Sequence, residues 1–195
     1  MTLYCATGNP GKLREFRLAA GQTDIQLEMV PGFGDIAPCK ENGATFEENA
    51  VLKARYYGPI APGLLFADDS GLEVDALGGA PGVYSARFAG PGASDEANNR
   101  LLFEKMRGVT KRTARFVCVI ALAEGERLLG TFRGTVEGEI LEEPRGSNGF
   151  GYDPLFFYSP FGCSLAEVPH ERKLAVSHRG QALRALFAAP LLRAL

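Results

Sequence analysis

The sequence predicts an α/β fold in which helices flank a mixed β-sheet. Short apolar segments with the pattern of β-strands alternate along the chain with segments that begin at helix-capping residues, as expected for strand–helix–strand units. This alternation is interrupted by two long neighbouring strand-like segments, residues 115–124 and 128–140, which are typical of an antiparallel pair. We therefore expect parallel and antiparallel strands in the same sheet.

The first half of the chain is predicted to alternate between short strands and helices. A glycine turn at residues 7–12 leads into a helix over about residues 13–20. Thr45 and Glu48 form a T-x-x-E capping box, which predicts a helix from there to about Tyr57. The strands of this half are apolar segments bounded by polar, glycine or proline residues: residues 2–6, 25–30, 64–67 and 72–76.

The second half is predicted to have a helix on each side of the hairpin. Ser94 is a suitable N-cap for a helix that continues to about Arg107. The last helix is predicted to begin near Ser177 and to continue to about residue 189. No segment has the composition of a linker, so residues 1–195 are predicted to form a single domain.

Composition argues against several classes of protein. The net charge of −2 provides no basic surface, so neither a nucleic acid nor a membrane is expected as a partner. The apolar segments are too short to span a bilayer, and the N-terminus lacks a signal-peptide pattern. The four cysteines are scattered without the C-x-x-C spacing of zinc or redox sites. Isolated thiols are typical of core residues in a reducing compartment, so a cytoplasmic protein is predicted.

Two adjacent aspartates, Asp68 and Asp69, follow an apolar strand and precede a Ser-Gly pair. Neighbouring like charges are unfavourable unless a cation lies near them. Successive side chains of a strand point in opposite directions, so only one of the two can face a given site. A carboxylate at a strand end is well placed to bind Mg²⁺ or to deprotonate water. The alternative is an Asx-type turn at residues 68–71 in which both aspartates only accept backbone N–H groups.

Two polar segments nearer the N-terminus have both a functional and a structural interpretation. Residues 7–12, TGNPGK, are suited to binding phosphate through backbone N–H groups and Lys12, or they form a simple turn. The two glycines of this segment are too close together for a Walker A loop. On the helix that follows Thr45, Asn49 and Lys53 are one turn apart and have the pattern of a solvated polar face. Glu41, just upstream, has the pattern of a surface carboxylate.

The C-terminal third contains two candidate sites for a base or a phosphate. Residues 146–156, GSNGFGYDPLF, suit either stacking on a flat base or a loop with core aromatics. The side chains that would contact a base are Phe150, Tyr152 and Asp153. Lys173, His178 and Arg179 are predicted to lie at one helix start, where cations oppose the helix dipole. A functional role is therefore favoured for these three.

Five segments carry a resemblance to a known family. They are TGNPGK (residues 7–12), FEENAVLKA (46–54), ADDSGLEVDALGGAPGVYSARFAG (67–90), NGFGYDPLF (148–156) and SHRGQAL (177–183). In this order and spacing they resemble the inosine triphosphatase family, the HAM1 or RdgB-like non-standard purine nucleoside triphosphate pyrophosphatases. One segment alone would be a weak signal, but together they cover nearly the whole chain.

The resemblance implies an enzyme that removes non-standard purine nucleotides from the nucleotide pool. Such an enzyme hydrolyses the triphosphates of inosine, deoxyinosine and xanthosine (ITP, dITP and XTP) to the monophosphate and pyrophosphate, with Mg²⁺ as the cofactor. The resemblance further implies a homodimer. It also implies an elongated mixed sheet flanked by helices, with two lobes and a central active-site cleft.

The resemblance also implies roles for individual residues. Asp69 would be the general base and a metal contact, and Glu41 would be a second ligand of Mg²⁺. Substrate binding is implied for the following positions: Thr7, Gly8, Asn9, Pro10, Gly11, Lys12, Lys53, Ser70, Phe150, Gly151, Tyr152, Asp153, Lys173, His178 and Arg179.

Two other functions are alternatives. A Maf-like nucleotide pyrophosphatase would act on pyrimidine or modified nucleotides, and the SHRG and FGYD segments argue against it. A binding module would sense nucleotides without hydrolysing them, and the intact Asp69 argues against that. A haloacid-type phosphatase is disfavoured because its nucleophile motif needs D-x-D spacing, whereas Asp68 and Asp69 are adjacent.

Overall fold

The computed structural model describes residues 1–193 of the chain. The strands of this part are β1 (Thr2–Cys5), β2 (Gln26–Met29), β3 (Leu64–Val74), β4 (Thr113–Glu124), β5 (Arg127–Ile140), β6 (Phe156–Tyr158) and β7 (Cys163–Ser164). The helices are α1 (Pro10–Ala20), α2 (Phe46–Tyr57), α3 (Asp95–Lys105), α4 (His170–Val176), α5 (His178–Phe187) and α6 (Pro190–Arg193). Within these residues, no helix is long and apolar enough to cross a membrane.

The strands form a mixed sheet in the order β2-β1-β3-β4-β5-β6-β7. β1 pairs in parallel with β2 and β3, whereas β6 pairs antiparallel with β5 and β7. β4 and β5 are neighbours joined by Gly125 and Glu126 alone, and a connection this short requires an antiparallel hairpin. The prediction of an α/β fold with a mixed sheet and flanking helices is confirmed.

The chain divides into two compact units, each built from several segments. The first comprises Met1–Asp69, Cys118–Gly134 and the chain from His178 onward; the second comprises Ser70–Val117 and Thr135–Ser177. In the first unit, the rings of Phe16 on α1 and Phe66 on β3 meet edge to face, with centroids 5.0 Å apart. In the second, Phe116 and Phe156 lie 4.5 Å apart within a buried apolar cluster. The central cleft stays a prediction.

Local capping signals correctly predicted the starts of two helices. Thr45 accepts the N–H of Glu48 at 3.1 Å and precedes α2, which ends at the predicted Tyr57. Ser94 accepts the N–H of Ala97 at 3.2 Å and precedes α3. These signals are reliable because the cap residue and its backbone donor are three residues apart in the sequence.

The predicted turn at residues 68–71 is wrong, because β3 continues without interruption from Leu64 to Val74. The two flanking apolar segments are parts of this one strand. The turn was predicted because two aspartates before a Ser-Gly pair have the pattern of a turn. The structure instead provides a cationic partner for each of Asp68 and Asp69 within the first unit, so both remain buried in the strand.

Helix α1 begins at Pro10, about one turn earlier than predicted. Asn9 is its N-cap and accepts the N–H of Lys12 at 3.0 Å, and proline is favoured at the first helical position. The second part of the TGNPGK segment is therefore the first turn of a helix and not a loop.

The prediction that Lys173, His178 and Arg179 share one helix start is also wrong. Lys173 lies in α4, which ends at Val176, whereas His178 and Arg179 begin α5. Ser177 separates the helices with an extended backbone, φ −65° and ψ 156°. Lys173 belongs to the second compact unit, and the other two residues belong to the first.

Candidate active site

The two aspartates of β3 contact different helices of the first unit, as the alternation of strand side chains requires. Asp68 forms an ion pair with Lys12 of α1 at 2.9 Å, and Arg179 of α5 lies 3.9 Å from the same carboxylate. Asp69 forms an ion pair with Lys53 of α2 at 3.3 Å. The alternative interpretation, in which both carboxylates only accept backbone N–H groups, is therefore wrong.

Asp69 is the centre of a polar cluster with Glu41, Asn49 and Lys53. The Nζ atom of Lys53 lies 2.9 Å from Glu41 Oε2, so one ammonium contacts both carboxylates. The Nδ2 atom of Asn49 donates to Asp69 Oδ2 at 3.1 Å. Asn49 and Lys53 are only 1% and 9% exposed, so the predicted solvated polar face is wrong. Glu41 is half-buried and contacts Lys53, so it is a partly exposed carboxylate with a cationic partner.

Burial and nearby charges move the pKa values of the two aspartates in opposite directions. Burial raises the pKa of Asp68, but the positive charges of Lys12, Arg179 and Lys53 lower it by more, so the pKa falls to about 2. At Asp69 burial raises the pKa more than Lys53 and Lys12 lower it, and the neighbouring carboxylates add to the increase. Asp69 is thus the aspartate whose pKa moves toward the range that suits a general base at neutral pH.

Lys53 remains charged in this cluster. Burial lowers the pKa of its ammonium, but the charges of Asp69, Asp68 and Glu41 raise it, and the net direction is upward. The cation of Lys53 is thus favoured, whereas the anion of Asp69 is disfavoured by burial although it belongs to the same ion pair. The asymmetry has a physical cause: Lys53 gains from three carboxylates, whereas Asp69 shares its ammonium with Glu41 and adjoins Asp68, so burial prevails at Asp69.

The loop before α1 joins β1 to a helix N-terminus. Thr7 is buried and its hydroxyl accepts the N–H of Asn9 at 3.2 Å. Because α1 begins at Pro10, the positive end of its dipole lies at this loop, near Lys12. The other positions of the segment are exposed or half-buried: Gly8, Pro10 and Gly11. Phosphate binding by these residues stays a prediction.

The first turn of α5 is buried, and it holds an ion pair that the sequence did not reveal. Arg179 donates to Glu15 of α1 at 2.5 Å, and both side chains are buried. Burial lowers the pKa of the Arg179 guanidinium, but Glu15, Cys118 and Asp68 raise it by more, so the net direction is upward. His178 is buried as well. The ion pair balances the cation at the helix start, where the dipole alone would disfavour it.

The glycine-rich loop of the second unit is arranged around the carboxylate of Asp153. This buried carboxylate accepts the N–H of Phe150 at 2.9 Å and forms an ion pair with the buried ammonium of Lys173. The ring of Phe150 covers the same ammonium, with Nζ 4.8 Å from the centroid. Gly149 has φ +74°, and a Cβ there would lie 2.1 Å from Asp153 Oδ2, so only glycine fits. Base contacts by Phe150, Asp153 and Lys173 stay predictions.

The two aromatic residues of this loop have different environments. Tyr152 belongs to the buried core of the second unit, and its hydroxyl donates to the carbonyl of Ser85 at 2.8 Å. Phe150 is half-buried and lines a pocket of about 580 Å³ between α3 and residues 144–155. Tyr152 is thus a core residue, whereas the ring of Phe150 is partly accessible.

Helix α3 fixes the backbone of Gly151. This residue was a candidate from the sequence, but its partners on α3 were not. Asp95 accepts the N–H of Gly151 at 2.6 Å, and the side-chain amide of Asn99 donates to its carbonyl at 2.8 Å. Asp95 and Asn99 are one helical turn apart, so a single face of α3 makes both contacts. Ser70, another candidate, is half-buried on β3, where the second unit begins.

Among the polar residues of the first unit, the ion-pair partner Glu15 was not found from the sequence, and Asn49 was assigned to the wrong environment. Glu15 lies next to Phe16 and one turn before the apolar Ala19 on α1, so its position on a buried face was readable from the helical period. Asn49 had been noted, but its spacing from Lys53 did not tell a buried face from a solvated one.

The carboxylates of Glu41 and Asp69 are suited to Mg²⁺. This cation prefers oxygen ligands and is commonly held by one or two carboxylates together with water and substrate phosphates. In residues 1–193 there is no group of three or more His, Cys, Asp or Glu side chains that could hold a metal by itself. A two-carboxylate site of this kind fits a metal that arrives with a nucleotide.

The chain belongs to the Ham1 family, whose profile matches residues 3–189. A dITP/XTP pyrophosphatase of Exiguobacterium sp. strain AT1b is 54% identical over 190 residues, with 96% of each chain covered. A dITP/XTP pyrophosphatase of Acidobacterium capsulatum is 50% identical, with 96% of this chain and 97% of that protein covered. The solved structure of a HAM1 protein from Coxiella burnetii is 38% identical, with a TM-score of 0.88 over the full length of both chains. The predicted family is confirmed.

Proposed function

We propose that the protein hydrolyses non-standard purine nucleoside triphosphates, namely dITP, ITP and XTP, to the monophosphate and pyrophosphate. The structural observation that carries the proposal is Asp69, a buried carboxylate with a raised pKa that contacts the ammonium of Lys53. The full-length similarity to dITP/XTP pyrophosphatases supports the choice of substrate.

In the proposed reaction, water adds across the bond between the α- and β-phosphates. Asp69 accepts a proton from the attacking water, and the pyrophosphate leaves with the electron pair of the broken bond. Positive groups aimed at charge that develops in the transition state are an effective source of catalysis. Lys12 and Lys53 are suited to that role, since each has its ammonium beside a carboxylate of β3.

We propose Mg²⁺ as the cofactor and Asp69 and Glu41 as its protein ligands. When bound, the metal would neutralise phosphate charge and polarise the phosphoryl oxygens. The contacts with Lys53 bring the two carboxylates to one place in the first unit. Lys53 then has a second role, because it limits the repulsion between two carboxylates that would otherwise face each other.

We propose two groups for base selection, each within one unit: Phe150 and its loop in the second unit, and Arg179 with His178 in the first. Inosine and xanthosine carry an acceptor at purine C6, where adenosine carries an amino donor. A guanidinium has only donors, so it favours the carbonyl of the first two bases. The buried ion pair with Glu15 orients this guanidinium.

The decisive experiment is pyrophosphate release measured side by side with dITP, ITP, XTP, ATP, GTP and the pyrimidine triphosphates, with and without Mg²⁺. The proposal predicts release that needs Mg²⁺ and is fastest with the first three substrates. Preference for pyrimidine or modified nucleotides would favour a Maf-like enzyme. Nucleotide binding without any release would indicate a binding module.

We further propose that the protein is a cytoplasmic homodimer. The four cysteines are free thiols, which supports a reducing compartment. The homodimer rests on the family resemblance, and light scattering on purified protein would test it by giving the mass of one or two chains of 20.9 kDa.

A further inference from the structure

The side chain of Asn49 links two parts of the proposed catalytic cluster. Its Nδ2 donates to Asp69 Oδ2 at 3.1 Å, and its Oδ1 accepts the N–H of Gly43 at 2.8 Å. A carboxylate only accepts and a backbone N–H only donates, so these partners determine the orientation of the amide. Asn49 is 1% exposed, which means that neither contact competes with solvent.

Gly43 lies two residues after Glu41, so Asn49 connects the loop of one proposed metal ligand to the side chain of the other. The contacts form a closed ring: Asp69 to Asn49, Asn49 to Gly43 in the Glu41 loop, Glu41 to Lys53, and Lys53 back to Asp69. Each member restrains its neighbours, and such buried networks stabilise one geometry when every partner is satisfied.

The loop and the helix are shaped for this contact. A Cβ at Gly43 would lie 2.8 Å from Asn49 Oδ1 and 2.7 Å from the Cβ of Glu48, so a larger residue would push the loop away from α2. Glu48 also accepts the N–H of Ala44 at 2.7 Å. Two successive N–H groups of the loop therefore donate hydrogen bonds to side chains in the first turn of α2.

We propose that Asn49 is a positioning residue that holds the Glu41 loop and the Asp69 carboxylate in one geometry, which the two carboxylates need in order to share a divalent cation. This inference rests on the proposed function and adds to it a residue that contacts neither substrate nor metal. Residues that orient ligating carboxylates typically contribute about 10- to 100-fold to metal affinity or activity.

The test compares Asn49→Ala with a matched control on another helix. Asn98 is also a buried asparagine, and it bridges two backbone groups, accepting from Ala89 at 2.8 Å and donating to Ala86 at 3.3 Å. Asn98→Ala therefore removes the same kind of side chain without touching the cluster. Two quantities are measured for each protein: amide hydrogen exchange of a peptide covering residues 39–45 without ligand, and the rate of dITP hydrolysis as Mg²⁺ is titrated.

For Asn49→Ala we expect faster exchange in that peptide, a Mg²⁺ concentration for half-maximal rate about tenfold higher, and a kcat about tenfold lower, while KM for dITP changes by less than about threefold. Gly43→Ala should act in the same direction. Asn98→Ala should change none of these. If Asn49→Ala and Asn98→Ala have the same Mg²⁺ requirement and kcat, the proposed role is wrong.

Asn49→Asp separates the two contacts with a nearly isosteric change. Its carboxylate still accepts the N–H of Gly43, so exchange should stay close to wild type, but it cannot donate to Asp69 and kcat should fall. Full activity of this variant would overturn the inference. Wild-type protein that does not hydrolyse dITP, ITP or XTP would instead overturn the proposed function, and the inference with it.

Discussion

Replacing Asp68 by asparagine should destabilise the protein, whereas replacing its neighbour Asp69 in the same strand should not. Asp68 has a pKa of about 2 against an ordinary value of 3.8. At about 1.4 kcal/mol per pH unit, this difference corresponds to about 2 kcal/mol of stability at neutral pH. Asp68→Asn should lower the free energy of unfolding by about that amount, because Lys12 loses its anionic partner.

Asp69→Asn should leave stability unchanged or raise it. The pKa of Asp69 is raised, so the folded protein disfavours its charge at neutral pH. The variant removes this charge, while Lys53 keeps Glu41 at 2.9 Å. Turnover should nevertheless fall by about 10²–10⁴-fold, the usual contribution of a positioned general base. Asp69 would then be a residue that activity needs and stability does not.

The two aspartates also change the stability of the protein in opposite directions as pH rises. A carboxyl group with a lowered pKa contributes stability that is complete above 3.8 and is lost as pH falls toward 2. A carboxyl group with a raised pKa makes stability fall as pH rises from 3.8 through the folded value. Wild-type protein should therefore lose more stability between pH 4 and pH 2 than Asp68→Asn does.

Urea unfolding of wild type and both variants at pH 7 and between pH 2 and pH 5, followed by circular dichroism, measures these quantities, and pyrophosphate release gives the turnover. Asp68→Asn serves as the control for removing one carboxylate from this strand. Equal losses of stability in the two variants would refute the assignment of opposite pKa shifts. Turnover of Asp69→Asn within a few-fold of wild type would place the general base elsewhere.

Three further predictions concern other charged or polar contacts. Lys53→Ala should weaken binding of the triphosphate by about 1.5–3 kcal/mol and of the monophosphate product much less, so equal losses by calorimetry would place this lysine away from the outer phosphates. Glu15→Gln should destabilise the protein by about 1.5–3 kcal/mol in urea unfolding because buried Arg179 loses the nearer of its two carboxylates and keeps only Asp68 at 3.9 Å, whereas a loss below about 1 kcal/mol would contradict a buried ion pair. Asn99→Asp cannot donate to the carbonyl of Gly151 and should reduce the preference for dITP over ATP, measured as the ratio of kcat/KM values; an unchanged ratio would show that α3 does not position this loop.

Much of the fold could be predicted from the sequence because its signals are local. Thr45 and Ser94 cap their helices through donors three residues away, and the predicted starts of α2 and α3 are correct. The hairpin of β4 and β5 needs only two long apolar segments and a short connection. The turn predicted at residues 68–71 failed because two aspartates before a Ser-Gly pair have the local pattern of a turn, whereas the strand here is stabilised by contacts with distant segments.

The sequence by itself determined the family, the fold class and the set of polar residues available for chemistry, since these depend on residue types and their spacing. Only the tertiary structure decided which charges meet. Asp68 pairs with Lys12 and Asp69 with Lys53 through contacts between distant segments, and burial then sets the two pKa values in opposite directions. Desolvation is a property of packing around a group, so no local pattern distinguishes two neighbouring aspartates that differ in this way.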